Sequence, residues 1–478
     1  MANSDDLARE ERNERNQPLV QALRDMYSTP AQDAQSLARI RERLLGSAAA
    51  QQTSTLKTQQ EKPGRVNSIM PGLPRPGPWH PFSAIAAVLC TALLVGSFLA
   101  VFNLAHQHGK GAPVKKQTPV VAKQAGSISN IHMIDATTGW ALTNQAILRT
   151  VDGGTSWKDV APAQFPGGTG HSSALVALTA STAWVAVVRP GAADMQVFHT
   201  VDAGQAWQET TIHYTSSMAG ITTMTFINAQ DGWIMAVLEI VTHEESVVIF
   251  RTTNGGQTWT KVSSSNAFNN APGALPSLGE KTGLSFRDAS TGWATGVDSP
   301  VGQPNFVWLY MTLDGGQTWQ HQTLVFPRNV VVSGQLSLAP PTFFTVNDGI
   351  LPVLFNTPSA SDLDVYVTHD GGATWQPTTI VAAPANVTDF IDMNHGWVAG
   401  GTAIYMTVDG GQTWTKALIN SIPGLRDSSA FVTLDFVSTR AGWGIVYDYS
   451  ANNYQGQIFL YKTVDGGHTW TKVNYVVS

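Results

Sequence analysis

The sequence holds a single cysteine, Cys90, among 478 residues. That excludes a disulfide framework or a cysteine-based metal site within one chain and leaves the redox compartment unread. Charge is scarce too, at 13% of residues, a composition suited neither to disorder nor to long surface helices. It is also uneven: residues 1–81 carry 11 Lys and Arg against 9 Asp and Glu, and the remainder 17 against 25. A large domain with an acidic balance argues against nucleic acid as its ligand. The histidines are scattered, with His106 and His108 in a connector, so no metal constellation is visible. No glycine loop follows a strand and opens a helix, so no nucleotide is expected, and the reading is of a chain with no cofactor and no metal.

Glycine and tryptophan are plentiful instead, at 43 and 15 residues, and both recur in one repeated phrase. It is cleanest at Thr407, Val408, Asp409, Gly410, Gly411, Gln412, Thr413 and Trp414, with relatives at 150–157, 200–207, 252–259, 312–319, 368–375 and 463–470. Its acidic position is held by Asp152, Asp202, Asn254, Asp314, Asp370, Asp409 and Asp465. These recur every roughly 40 to 60 residues, the period of propeller blades rather than helical solenoids. Upstream of each stands a second landmark: Gly139-Trp140, Ala183-Trp184, Gly232-Trp233, Gly292-Trp293, Gly349-Ile350, Gly396-Trp397 and Gly442-Trp443. Around the two landmarks each unit divides into four short strands, in the first unit 128–134, 140–143, 146–150 and 157–160, β-branched or aromatic and bounded by turn residues. The expected fold is all-β, a single seven-bladed β-propeller of four-stranded blades over residues 125–478.

The repeated Asp invites a catalytic or metal reading, but turn chemistry accounts for it. Its oxygen can accept hydrogen bonds from N–H groups one or two residues ahead, and the glycines supply positive φ. Seven of the tryptophans stand in this motif and six in the second landmark, leaving Trp79 and Trp308 outside the pattern. Nearly all the tryptophan is therefore structural.

The motif is the Asp-box or BNR repeat, as in sialidases, sortilin-type propellers and some glucanases. Paired with Gly-Trp, in phrases such as Phe286 to Trp293 and Met406 to Trp414, it most resembles the photosystem II stability and assembly factor-like family over residues 125–478. That resemblance implies a non-enzymatic, membrane-associated seven-bladed propeller that helps assemble or stabilise membrane protein complexes. The chain departs from the family in its long N-terminal tail and its acidic balance.

Residues 1–81 read as a cytoplasmic tail with two short helical patterns, Leu19, Leu23 and Met26, then Leu37, Ile40 and Leu44, followed by a Pro- and Gln-rich linker. Residues 82–104 lack charge, and about 23 residues at about 1.5 Å each reach across the ~30 Å hydrocarbon layer. They are read as one transmembrane helix, with residues 105–124 as a linker and the propeller outside the cytoplasm. Flanking lysines and arginines do not decide this orientation. Ala92, Gly96 and Ala100 form a small-residue row that would let two spans pack as a weak homodimer.

In a four-stranded meander the two landmark turns fall at one end and the other connections at the opposite end. The long connections, among them 189–194, 211–220, 240–246, 263–282, 324–339, 418–429 and 447–455, therefore share one face. It is taken as the binding surface for a membrane-associated protein partner, with Arg189, Tyr214, Glu244, Arg328, Arg426 and Tyr449 as candidates. Deletion of 263–282 is expected to spare folding but weaken partner capture. Two alternatives stay open: a glycan-binding or sialidase-like propeller, for which Arg189, Arg328 and Arg426 suffice in number though the Arg-Ile-Pro signature is missing, and a single-pass sensor signalling through the tail.

Overall fold

The computed structural model describes residues 126–168, 170–241, 244–265, 272–297, 306–327, 336–356, 361–378, 385–400, 403–449 and 457–478. The expected tail, the span 82–104 with Ala92, Gly96 and Ala100, and the linker lie outside the described residues. Among the described residues no helix is long and apolar enough to cross a membrane.

The all-β expectation holds, with one 3-10 turn at Ile419–Ser421 as the helical exception among the described residues. The first unit comprises Asn130–Met133, Gly139–Leu142, Ile147–Thr150 and Ser156–Asp159, each antiparallel to the next. The strands thus sit within two residues of their expected bounds. The same meander recurs in separate four-stranded sheets over 172–218, 220–264, 385–418 and 429–472. The strands between 280 and 377 join into one nine-stranded sheet through a bridge from Val297 to Ser337. There the unit with Ile350 in place of tryptophan has its first strand split into Leu336–Leu338 and Thr342–Phe343.

Packing explains why the two landmarks alternate without a miss. Within a unit the landmark turns bond each other: Gly153 N–H donates to Thr137 O at 2.7 Å, Gly410 N–H to Asn394 O at 2.9 Å and Gly466 N–H to Arg440 O at 2.9 Å. Between units, four of the landmark indoles reach a glycine carbonyl in the next unit's Asp-box, the last unit reaching the first, while Trp140 donates to Thr179 O at 3.2 Å. Trp184 donates to Gly255 O at 2.8 Å, Trp233 to Gly315 O at 2.9 Å, Trp397 to Gly466 O at 2.7 Å and Trp443 to Gly153 O at 3.1 Å. Trp293 departs from the series: Gln322 relays between it and the next Asp-box, accepting from Trp293 at 3.0 Å and donating to Gly372 O at 2.7 Å.

Three of these indoles stack on a phenylalanine from the first strand of the following unit, with centroids 3.9 Å apart for Trp184 and Phe226, 3.7 Å for Trp233 and Phe286 and 3.6 Å for Trp397 and Phe436. Burying such a ring contributes gross stabilisation of about 4 to 6 kcal/mol. First-strand rings dictate the glycine before Trp233 and Trp397: a Cβ at Gly232 would lie 2.5 Å from Phe226, and one at Gly396 would overlap Phe390.

The first and last units share one core, in which Trp443, Ile445 and Leu460 pack with Ile131, Met133, Leu148 and Trp157. Asp435 Oδ2 accepts the Met133 N–H at 2.5 Å across that seam. Outside the meander, Val476–Val477 adds a fifth strand parallel to Ser156–Asp159.

Candidate interaction face

Strand direction puts both landmark turns of every unit at one end of the strands. The Asp-box there is a closed hydrogen-bond circuit. Thr407 Oγ1 donates to Asp409 Oδ1 at 2.9 Å and accepts the Gly411 N–H at 2.8 Å. Asp409 Oδ1 accepts the Thr413 N–H at 2.8 Å and Oδ2 the Thr413 hydroxyl at 2.6 Å, while Trp414 Nε1 donates to Gly411 O at 3.0 Å. The carboxylate therefore reaches four residues ahead, not the one or two expected, because the glycines at positive φ fold the chain back under it. Asp152, Asp202, Asp314, Asp370 and Asp465 repeat this bond. Asn254 keeps it with Oδ1 and turns Nδ2 to Thr258 Oγ1 at 2.9 Å. These bonds, led by the Thr413 hydroxyl, hold Asp409 below the usual carboxylate range, and the Thr374 hydroxyl brings Asp370 to about 2. The opening threonine of the motif, given no role by turn chemistry alone, is as much part of the circuit as the aspartate.

Arginines near these turns are occupied there. Arg149 Nε donates to Ala180 O at 3.1 Å, and Arg287 Nη1 to Gly371 O at 2.6 Å. Arg251 lies over the Trp233 ring at 5.1 Å.

At the opposite end, Arg189 is exposed in a tight turn between Ala183–Val188 and Ala192–Thr200. Tyr214 and Glu244 stand in strands rather than loops, which corrects the expected connections 211–220 and 240–246. Tyr214 lies in Gln208–Met218 with its ring 5.7 Å from Phe250, and Glu244 opens Glu244–Thr252. Arg328 lies outside the described residues. Arg426 and Tyr449 are brought together: Ser429 Oγ accepts the Arg426 N–H at 3.1 Å, Ser428 O accepts the Tyr449 N–H at 3.1 Å, and Ser428 Oγ donates to Asp448 Oδ1 at 3.1 Å. Tyr447 packs on Tyr449 at 4.5 Å, so an exposed arginine and an aromatic pair share one corner.

The connection 263–282, whose deletion is expected to spare folding, is anchored in the interior. Leu275 is buried, and Trp319 N–H donates to Gly273 O at 2.7 Å. Lys281, 3% exposed, donates from Nζ to the carbonyls of Glu245, Ser277 and Gly279 at 2.7, 2.8 and 2.7 Å, beside the Trp308 ring at 5.1 Å. Glu245 Oε2 accepts the Lys281 N–H. Burial pulls the Lys281 ammonium down to about 7 against the attraction of Glu245, and pushes the Glu245 carboxyl up. Trp308, outside the sequence pattern, thus belongs to a buried lysine cage.

Three further titratable groups escaped the sequence reading. His132, Asp389 and Asp435 hold the same register in their first strands, opposite Trp140, Trp397 and Trp443. Asp389 Oδ2 accepts the Phe436 N–H at 2.5 Å, as Asp435 does for Met133. Burial raises both carboxyls to about 7 and lowers His132. Among the described residues no group of three or more His, Cys, Asp or Glu is arranged to hold a metal ion.

Residues 115–266 match the model of the family described as Photosynthesis system II assembly factor YCF48, and residues 366–377 match the BNR/Asp-box repeat. The resemblance to photosystem II assembly factor-like propellers of BNR repeats therefore holds. No curated protein matches the chain. Among solved structures it resembles YCF48 bound to D1 peptide, at 18% identity over 74% of this chain and 99% of the other, with a TM-score of 0.45. YCF48 from Cyanidioschyzon merolae gives 16% over 73% and 98%, with a TM-score of 0.45. An α-L-arabinofuranosidase from Fusarium graminearum gives 12% over 62% and 92%, with a TM-score of 0.39.

Proposed function

We propose that the protein is a membrane-anchored, non-enzymatic scaffold: a closed seven-bladed propeller outside the cytoplasm, held by residues 82–104, that binds a protein partner on the face opposite its Asp-box turns. The observation that carries this reading is the match of residues 115–266 to an assembly-factor family. Two features support the choice of face. The landmark turns spend their polar groups on one another, as the Asp409 circuit does. The opposite end offers Arg426 beside Tyr447 and Tyr449, and arginine and tyrosine are the residues that most often anchor protein interfaces.

Photocrosslinking with the full chain in membranes tests the proposal, with probes in place of Arg189 and Arg426 and a control probe at Val408 on the turn face. The same protein captured by both loop-face probes, absent from the control and lost in an Arg426→Glu chain, is the expected result. Equal capture from both faces refutes the choice of face. Turnover of sialosides or β-glucans that disappears in Arg328→Ala would make the protein a glycosidase.

A further inference from the structure

The first unit differs from the others at its outer edge. Its strands run in sequence order to Ser156–Asp159, and the sheet then gains Val476–Val477 on that edge. All other strand pairs of the described residues are antiparallel, and the one further parallel contact is an isolated bridge between Glu244 and Gly279. The added strand is held on this edge by three backbone bonds, Val476 N–H to Thr155 O at 3.3 Å, Ser478 N–H to Trp157 O at 3.0 Å and Asp159 N–H to Ser478 O at 3.0 Å, while the Val473 N–H that precedes it donates to Leu460 O of the last unit at 2.8 Å. It contributes no fully buried side chain. Val473, Tyr475 and Val477 are half-buried on the core of the first and last units, while Asn474, Val476 and Ser478 alternate with them in solvent. Tyr475 adds one polar contact, its Oη accepting the Ile128 N–H at 3.3 Å.

We propose that the outer edge of the first unit is a strand-addition site for an extended peptide, and that residues 473–478 are its built-in occupant, a strap that a partner segment displaces. An edge strand with unpaired N–H and C=O groups is a template for any extended chain of fitting side chains. When the strap leaves, Thr155 O, Trp157 O and Asp159 N–H become such a template, and Trp157 keeps its own bond to Gly154 O. The strap itself defines the ligand: a parallel strand with an aromatic residue between two aliphatic ones at alternate positions, the spacing at which one face of a strand meets a surface. This site stands at the first unit's outer edge and does not depend on the loop-face reading above.

Two measurements on the full chain test it. Hydrogen exchange should show the Asp159 and Ser478 amides opening well before the ladder between Gly139–Leu142 and Ile147–Thr150. Exchange of both only on global unfolding would overturn the proposal. In the second, a labelled peptide of residues 471–478 is added to the full chain, to a chain ending at Lys472 and to a full-length Val477→Asp variant. The expected result is binding at least tenfold tighter to both altered chains, and none by a peptide with serine at the positions of Val473, Tyr475 and Val477. Equal affinity for all three chains, or failure of both altered chains to fold, would show the strand to be integral to the sheet. Reversible dimers that exchange this segment would assign the edge to a second copy and overturn the partner-peptide proposal.

Discussion

Replacing Asp435 with asparagine separates its hydrogen bond from its charge. The Met133 N–H needs an acceptor at 2.5 Å, and an asparagine oxygen supplies one. The charge is a cost, because burial raises Asp435 and Asp389 from 3.8 to about 7, with Asp435 adding repulsion at Asp389. A carboxyl whose pKa is raised on folding holds more protons in the folded state between about pH 4 and 7. Its favourable contribution is complete below the unfolded value and is lost as pH rises through the folded one. A rise of about 3 at about 1.4 kcal/mol each gives about 4 kcal/mol per group, and since both residues are half-buried rather than fully enclosed, about 2 kcal/mol is the working figure. Urea unfolding from pH 4.5 to 8.5 should show the native chain losing a few kcal/mol as pH rises. Asp364, raised to about 6 by burial, adds to this slope and Lys281, lowered to about 7, opposes it above pH 7, so Asp435→Asn should remove its own share, about 2 kcal/mol, and be more stable than the native chain at pH 8. The Asp-box aspartates act in the opposite sense. Their lowered pKa values, about 2 for Asp370, give stability that is lost as pH falls below the ordinary carboxylate value, so maximum stability should fall near pH 4 to 6. A profile rising from pH 5 to 8, or Asp435→Asn destabilised by more than about 1 kcal/mol at pH 8, refutes the reasoning.

Other substitutions probe the turns and the lysine cage. Asp409→Ala removes the acceptor of Thr413 and should cost about 1 to 2 kcal/mol in urea unfolding while partner capture at the loop face is unchanged. Ala203 stands at φ 64 where the other units have glycine, so Ala203→Gly should stabilise by about 0.5 to 1 kcal/mol, read as a higher midpoint with the same m-value. Lys281→Met fills similar space but leaves the carbonyls of Glu245, Ser277 and Gly279 without their donor. A loss of about 3 to 5 kcal/mol is expected, with faster proteolysis of 263–282 as its local signature.

Repetition made the scaffold legible because every unit solves the same problem with the same residues. Thr407, Asp409 and Trp414 serve one turn, and Trp397 with Gly396 serves the contact to the next unit. The candidate face was legible only as a direction. Tyr214 was misplaced because Gln208–Met218 is rich in Thr and Ser, which reads as loop by composition; the alternation of Ile212, Tyr214 and Met218 among buried or half-buried positions was the overlooked signal. Glu244 was misplaced because a polar hairpin end looks like a connection when its partner strand is unknown. His132, Asp389 and Asp435 gave no sequence signal at all, since Val176, Thr225, Ser285 and Thr342 hold the same register elsewhere. Their meaning comes from neighbours rather than from the repeat: two carboxylates accept backbone N–H groups across consecutive first strands, and one of those bonds crosses the seam where the last unit meets the first. That seam also holds Trp443 on Gly153 and the strand Val476–Val477 on Ser156–Asp159. A ring of near-identical units is most individual where its two ends join, so departures from the repeat gather there, and with them the chemistry that the repeat alone does not specify.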